Sequence, residues 1–224
     1  MIWITGDTHG DLNRFQQKEI RKLRQGDFLI ICGDFGFVWD GSAKEKKTLK
    51  WLQKRKYTIL FLDGKHENYD LLREYPICEA FGGKVQSLGG NLYHLLRGEI
   101  YELDGKRIFA FGGGESSEKE FRREQDCFWD DEMPTGAEMK NAVANLNRAN
   151  RKVDYIITHE APVAAKGLHN NRVDSVSTLE AFFDETARHV EFSCWYFGSI
   201  HQNKRISTRY HAVFDDVVPA FGQE

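Results

Sequence analysis

The sequence predicts an α/β protein with two sheets stacked between helices, and three observations carry that prediction. Five short apolar runs each end at a turn that presents Asp or His: Ile2–Thr5 into Gly6-Asp7-Thr8-His9, Phe28–Cys32 into Gly33-Asp34, Ile59–Leu62 into Asp63-Gly64-Lys65-His66, Tyr155–Ile157 into Thr158-His159, and Trp195–Phe197 into Gly198-Ser199-Ile200-His201. Buried strands that stop in this way deliver their next side chains to the C-terminal edge of a sheet, where α/β proteins place their chemistry. The first part of the chain alternates such strands with helix-like stretches. From Lys84 to Phe111 the texture changes to short alternating runs divided by Gly-bearing turns, which reads as antiparallel strands.

Each element has its own warrant. Asp11 is placed to cap a helix carrying Leu12, Phe15, Ile20 and Leu23, and Gly26-Asp27 turns the chain into the second strand. The aromatic, glycine-rich run from Phe35 to Gly41 either roofs the core or stacks on a base, the roof being favoured because packed aromatic pairs outnumber exposed ones. A basic helix follows over residues 43–55 with Leu49 and Leu52 facing inward. The third strand leads to a short helix over residues 70–74, stopped before Pro76. Strands are expected over residues 92–95, 99–103 and 107–111, with Asp104-Gly105 as a hairpin turn.

Gly112-Gly113-Gly114 opens a polar segment that reads as a surface loop running to Pro134; it lacks the Lys-Ser/Thr ending of a phosphate-binding P-loop. A helix over residues 136–150 is expected to turn Met139, Ala142, Val143, Leu146 and Ala149 to the core. Strand Val153–Ile157, a loop after Pro162, a helix over residues 178–188 and two or three short strands over residues 204–221 complete the chain.

At 224 residues a single domain spanning residues 1–224 is expected. With 41% apolar and 29% charged residues and a net charge of −3, the composition argues against disorder and gives nucleic acid no support as a partner. No stretch approaches the roughly 20 apolar residues of a membrane span, and no charged leader precedes the first strand, so a cytoplasmic location without a membrane partner is expected. The four cysteines form no Cys-x-x-Cys pair and read as reduced thiols. Nothing in the composition specifies an oligomeric state.

Asp and His on adjacent loops are oxygen and nitrogen ligands suited to divalent Mn, Fe, Zn or Ni, whereas calcium prefers oxygens alone. A carboxylate from the second strand, lying between ligands from the outer strands, is placed to bridge two ions about 3.5–4 Å apart. Taken singly, each residue has an ordinary explanation as a turn, cap or hydrogen-bonded group. Their repetition at strand ends is what argues for a metal-site scaffold, and it leaves out His94, His169, His189 and His211. On the glycine-rich segment, Lys119, Arg122 and Arg123 are weak candidates for contacting a second phosphate. Phe35, Phe37 or Trp39 are candidates for stacking on a nucleobase, against a solvated loop and a packed aromatic patch.

Asp7-x-His9, Gly33-Asp34, Gly64-x-His66-Glu67, Thr158-His159 and Gly198-x-x-His201, in this order, resemble the calcineurin-like metallophosphoesterase superfamily, from Gly6 to His201. Phe111-Gly112-Gly113 and Asp154–His159 resemble its small bacterial and prophage-type members. The resemblance implies a four-layer α-β-β-α sandwich, a divalent metal centre at the strand ends, and hydrolysis of a phosphomonoester or phosphodiester, a nucleotide among the candidates, by metal-activated water. It implies that Asp7, His9 and His201 hold a first metal, that Asp34 bridges and that His159 holds a second. His66 then stabilises or protonates the leaving-group oxygen, oriented by a carboxylate. Manganese is the expected cation, with iron, zinc and nickel as alternatives.

Two positions depart from the pattern, and both concern the second metal: Lys65 stands where the family has Asn, and Ser199 where it has His. A protonated Lys donates and cannot coordinate. One tight site is therefore expected, with the second weak or absent and the Lys65 ammonium near Asp34 and the substrate phosphate as a catalytic positive element. The readings left open are a working phosphoesterase with an impaired or lysine-substituted second site, a catalytically weak or inactive module that binds a phosphate-containing ligand, and a lineage that keeps only a structural metal.

Overall fold

The structure, a computed structural model, describes residues 1–170, 176–220 and 222. Its strands are β1 (Ile2–Thr5), β2 (Phe28–Ile31), β3 (Thr58–Phe61), β4 (Ile77–Ala80), β5 (Gly83–Gly89), β6 (Leu92–Leu95), β7 (Glu99–Leu103), β8 (Lys106–Phe111), β9 (Tyr155–Thr158), β10 (Cys194–Phe197), β11 (Lys204–Arg205), β12 (Tyr210–Ala212) and β13 (Val218–Pro219). Its α-helices are α1 (Lys18–Lys22), α2 (Ala43–Gln53), α3 (Tyr69–Arg73), α4 (Lys119–Glu124), α5 (Gly136–Arg148), α6 (Val163–Asn170) and α7 (Thr178–His189). One sheet has the order β13-β1-β2-β3-β6-β5-β4, the other β11-β12-β10-β9-β8-β7. Each is built on parallel strands, β1-β2-β3-β6 and β8-β9-β10-β12, with antiparallel strands at its margins.

Strand alternation explains the layering. Ile2 and Ile4, Ile30 and Cys32, and Leu60 and Leu62 share one face of the first sheet and meet Ile108, Ala110, Tyr155, Ile157, Cys194 and Tyr196 of the second, forming one core between the sheets. The opposite faces pack under helices: Leu29, Ile31, Ile59 and Phe61 against Leu49, Leu52 and Leu72, and Phe109, Phe111, Ile156 and Trp195 against Ala142, Leu146, Leu179 and Phe183. The result is the expected four-layer α-β-β-α sandwich. Because both faces of the parallel strands are covered, those strands read as continuous apolar runs.

The structure corrects the sequence reading at several places. The middle strands do not form one meander: β6 pairs in parallel with β3, and the chain then crosses between Leu95 and Glu99 so that the β7–β8 hairpin belongs to the other sheet. Strands β4 and β5 precede it, β4 an edge strand with three exposed residues and one half-buried, so that no apolar alternation marks it. The first helix is divided into a 3-10 turn, Leu12–Gln16, capped by the Asp11 carboxylate, and α1. The segment after Pro162 is helical rather than a loop: the Pro162 carbonyl accepts from the Lys166 N–H and starts α6, an entry where a missing proline N–H costs nothing. Gly112, Gly113 and Gly114 are buried, not a surface loop. Val143 lies on the solvent face of α5, 45% exposed, while Ala142 and Leu146 face the core.

The layering has a direct energetic consequence. Leu60→Ala, which opens a cavity between the sheets, is expected to lower stability by about 2–5 kcal/mol, whereas Val143→Ala is expected to stay within about 0.5 kcal/mol of the parent. Urea unfolding of the two variants checks this, and equal losses would contradict the assignment of faces.

Candidate metal centre

The C-terminal ends of β1, β2 and β3 and of β8, β9 and β10 lie along one edge of the sandwich, and their loops are laced together. Thr8 N–H and His9 N–H donate to the Asp34 carbonyl at 3.1 and 2.8 Å, and Gly10 N–H donates to the Phe35 carbonyl at 3.0 Å. Lys65 N–H and His66 N–H donate to Asp34 Oδ1 at 2.6 and 2.8 Å. Buried Glu67 accepts from Phe35 N–H at 2.6 Å. On the other sheet, Gly198 and Ser199 donate their N–H groups to the His159 carbonyl at 3.2 and 3.0 Å.

This lacing brings Asp7, His9, Asp34 and His201 together, each offering one ligand atom within 4.8 Å of the others. His201 Nε2 is 2.9 Å from Asp7 Oδ2, and His9 Nε2 is 3.2 Å from His201 Nε2. Separations near 3 Å are those of neighbouring ligands around a cation with bonds of about 2.0–2.2 Å. Both Asp7 carboxylate oxygens are buried and make no well-aligned hydrogen bond; their near polar neighbours are ring nitrogens, His201 Nε2 at 2.9 Å from Oδ2 and His159 Nδ1 at 3.4 Å from Oδ1. A buried carboxylate in that condition is costly unless a cation balances it, so the donor set fits a divalent metal. His9, Asp34 and His201 adopt left-handed φ values of 46, 41 and 49°. Each such residue costs on the order of 1–3 kcal/mol and persists where surrounding structure over-determines it. The glycines beside the ligands are equally constrained: a Cβ at Gly64 would lie 2.0 Å from Asp34 Oδ1, and one at Gly198 2.0 Å from Asp7 Oδ1.

The charges are arranged to keep the carboxylates ionised. Burial pushes Asp34 up, but His159, His66 and the His66 N–H hold it well below the usual carboxylate range. Burial lowers His9 and favours the neutral, ligating imidazole, whereas the Asp7 carboxylate raises His201. His159 is fully buried; burial opposes its charge, yet Asp34 and Asp7 raise it to about 9. Its Nδ1 is 3.2 Å from the Cys32 carbonyl, and its Nε2, 3.7 Å from Asp34 Oδ1, has no hydrogen-bond partner. His66 Nδ1 is 2.8 Å from Asp34 Oδ2, so the carboxylate that orients His66 is Asp34 itself.

Lys65 has a partner within the site that the sequence did not indicate. Its backbone N–H binds Asp34, and its ammonium pairs with Glu160, 3.6 Å from Oε2, close enough to His159 to oppose that imidazole's charge. Ser199 Oγ donates to Glu160 Oε1 at 2.9 Å, and Lys166 Nζ lies 2.8 Å from the same oxygen and 2.6 Å from Glu180. The two departures from the family pattern thus converge on one buried carboxylate, whose only sequence signal was its place directly after Thr158-His159. A second missed group is Asp63, buried where it accepts from Arg97 at 2.5 and 2.8 Å and sits 3.0 Å from His94, pinning the end of β3.

The basic candidates do not gather here. Arg122 is buried in an ion pair with Glu132 and bonds Ser116, so it is structural. Lys119 pairs with Glu115, and Arg123 pairs with Asp130 and stacks on Phe128. Phe35 and Phe37 are buried, as the roof reading expects. Trp39 is the more exposed of two aromatics, with Phe37, in a cleft shared with His9 and His66.

The sequence model of calcineurin-like phosphoesterases matches residues 1–201. No curated protein matches the sequence. Among solved structures, the chain is similar to a Staphylococcus aureus protein whose crystal structure, in complex with α-ketoglutarate, carries the name 5'-nucleotidase, with 14% identity and a TM-score of 0.48 over 95% of this chain. The chain spans about half that protein's length, 48%.

Glu160 generates a pH prediction. Burial opposes its charge, but Lys65 and Lys166 pull its carboxyl down to about 2 from an ordinary 4.5. A lowered carboxyl contributes stability that is complete above the unfolded value and is lost as pH falls through the folded one. Glu160→Gln is therefore expected to cost about 3 kcal/mol at neutral pH and to flatten the fall in stability between pH 4.5 and 2. Denaturant unfolding across that range checks it, and parallel acid limbs in parent and variant would contradict it.

Proposed function

The chain belongs to the calcineurin-like phosphoesterase family, and we propose that it hydrolyses a small phosphomonoester or phosphodiester with one tightly held divalent cation, manganese first among the candidates. The observation that carries this reading is the convergence of Asp7, His9, Asp34 and His201, each offering one ligand atom within 4.8 Å of the others, around two buried carboxylates. When bound there, the cation supplies Lewis acidity toward the phosphoryl oxygens and lowers the pKa of water. Asp34 holds His66 through Nδ1, which leaves the other ring nitrogen to donate a proton to the leaving-group oxygen. The reading includes a weak or absent second site, because Lys65 and Ser199 are engaged with Glu160, and a cytoplasmic location, where unpaired thiols such as exposed Cys78 persist.

The same Glu160 contacts favour a second reading. With Asp34 and His159 left as the remaining protein donors of the second site, the pocket would bind a phosphate ester and turn it over weakly or not at all.

The two readings separate in a manganese-dependent assay. The first expects turnover of p-nitrophenyl phosphate or its bis ester that a chelator removes, manganese restores and Asp34→Ala abolishes. His66→Ala should lower kcat on an alkyl phosphate by about 100-fold or more. It should affect p-nitrophenyl phosphate far less, since p-nitrophenolate leaves without a proton. Phosphate binding without turnover would establish the second reading.

A further inference from the structure

We infer that the cleft beside His66 is a leaving-group subsite for the base of a mononucleotide, with Trp39 as its stacking platform and specificity-determining residue. The inference rests on the phosphoesterase reading and names its substrate class. The cleft has a volume of about 620 Å³ and is lined at one side by His9 and His66, so a leaving group on a phosphorus held at the metal centre can extend into it. Leu12, Phe37 and Trp39 supply apolar walls, and Gly10 and Gly36 bring backbone without side chains.

Trp39 is held in place for a purpose that packing does not explain. Glu45 accepts from the N–H groups of Trp39, Asp40 and Gly41 at 2.8, 2.7 and 3.2 Å, and Asn68 Nδ2 donates to the Trp39 carbonyl at 2.6 Å. Trp129 meets the ring edge-on, its centroid 6.0 Å away, and is itself fixed by Nε1 donating to Asp70. The residue nevertheless stays 38% exposed, in a wall of the cleft. A large ring on an anchored backbone, braced by a second aromatic and still partly exposed, can stack on a planar group at modest entropic cost.

Size and charge narrow the occupant. A phenyl or small polyol group would leave most of this volume empty, whereas a nucleoside is of the size that clefts of about 300–1,000 Å³ enclose. Among the described residues that line the cleft, Lys44 is the one Lys or Arg, set among the carboxylates Asp40 and Glu45, so the lining holds no cluster of cations for further phosphates. A monophosphate matches this lining better than a di- or triphosphate.

The test compares adenosine 5'-monophosphate with ribose 5-phosphate, the same ester without the base, on the full chain with manganese. The ratio of their kcat/KM values should favour the nucleotide by about tenfold or more, the lower range for stacking one base on one aromatic ring. The preference should be carried by KM, collapse toward unity in Trp39→Ala and be largely kept in Trp39→Phe. Equilibrium dialysis of adenosine against the metal-free chain reads the subsite without catalysis: binding that Trp39→Ala removes and Trp39→Phe keeps supports the inference even if neither ester is turned over. Turnover of p-nitrophenyl phosphate with no nucleotide preference and no adenosine binding would overturn the subsite and leave the phosphoesterase reading standing.

Discussion

The carboxylate of Asp34 is the knot on which the site depends. One oxygen accepts the N–H groups of Lys65 and His66, the other meets the His66 imidazole, and the residue's carbonyl accepts from Thr8 and His9. Three successive strand ends are tied through a single residue that is itself held in a left-handed backbone conformation. The strain and the buried charge are offset by this lacing, and the same bonds place His9 and His66 where chemistry needs them. Moving Asp34 would loosen every other part of the centre.

The fold makes that knot possible by stacking two parallel-cored sheets with their C-terminal ends at one edge. Asp7, Asp34 and His66 come from one sheet; His159, Ser199 and His201 come from the other. Phe214 stacks on His201, and Arg14 reaches from the first helical turn to the carbonyls of Asp7 and Phe214, so the halves are also joined beneath the ligands. Glu160, with Lys65 on one side and Lys166 and Ser199 on the other, forms a second tie between the sheets, and it is made of the residues that replace expected metal ligands.

Much of this was legible in the sequence because local chemistry announces it. An apolar run ending in Gly-Asp or Thr-His is a strand end wherever the tertiary structure puts it, and Asp7, His9, Asp34, His66, His159 and His201 follow from that rule. What escaped depends on partners distant in sequence. The Lys65 ammonium was expected near Asp34 because Lys65 stands where the family has a metal-binding Asn; its partner Glu160, supplied by the loop after β9, could not be foreseen. Arg122 looked like a solvated loop cation until Glu132 folded back on it. Strand β4 escaped because its edge position leaves it exposed, and α6 because Pro162 and Gly167 read as breakers although a proline is harmless at a helix entrance. The split of the middle strands between two sheets has no local signature at all.

In the proposed reading, the pairing of Lys65 and Ser199 with Glu160 leaves the chain one tight cation site. Elemental analysis and calorimetric titration with manganese, comparing the chain as it stands with the Lys65→Asn, Ser199→His double variant, test it most directly. One tightly bound ion per chain is expected in the parent and a second in the variant. Two tight ions in the parent would contradict it.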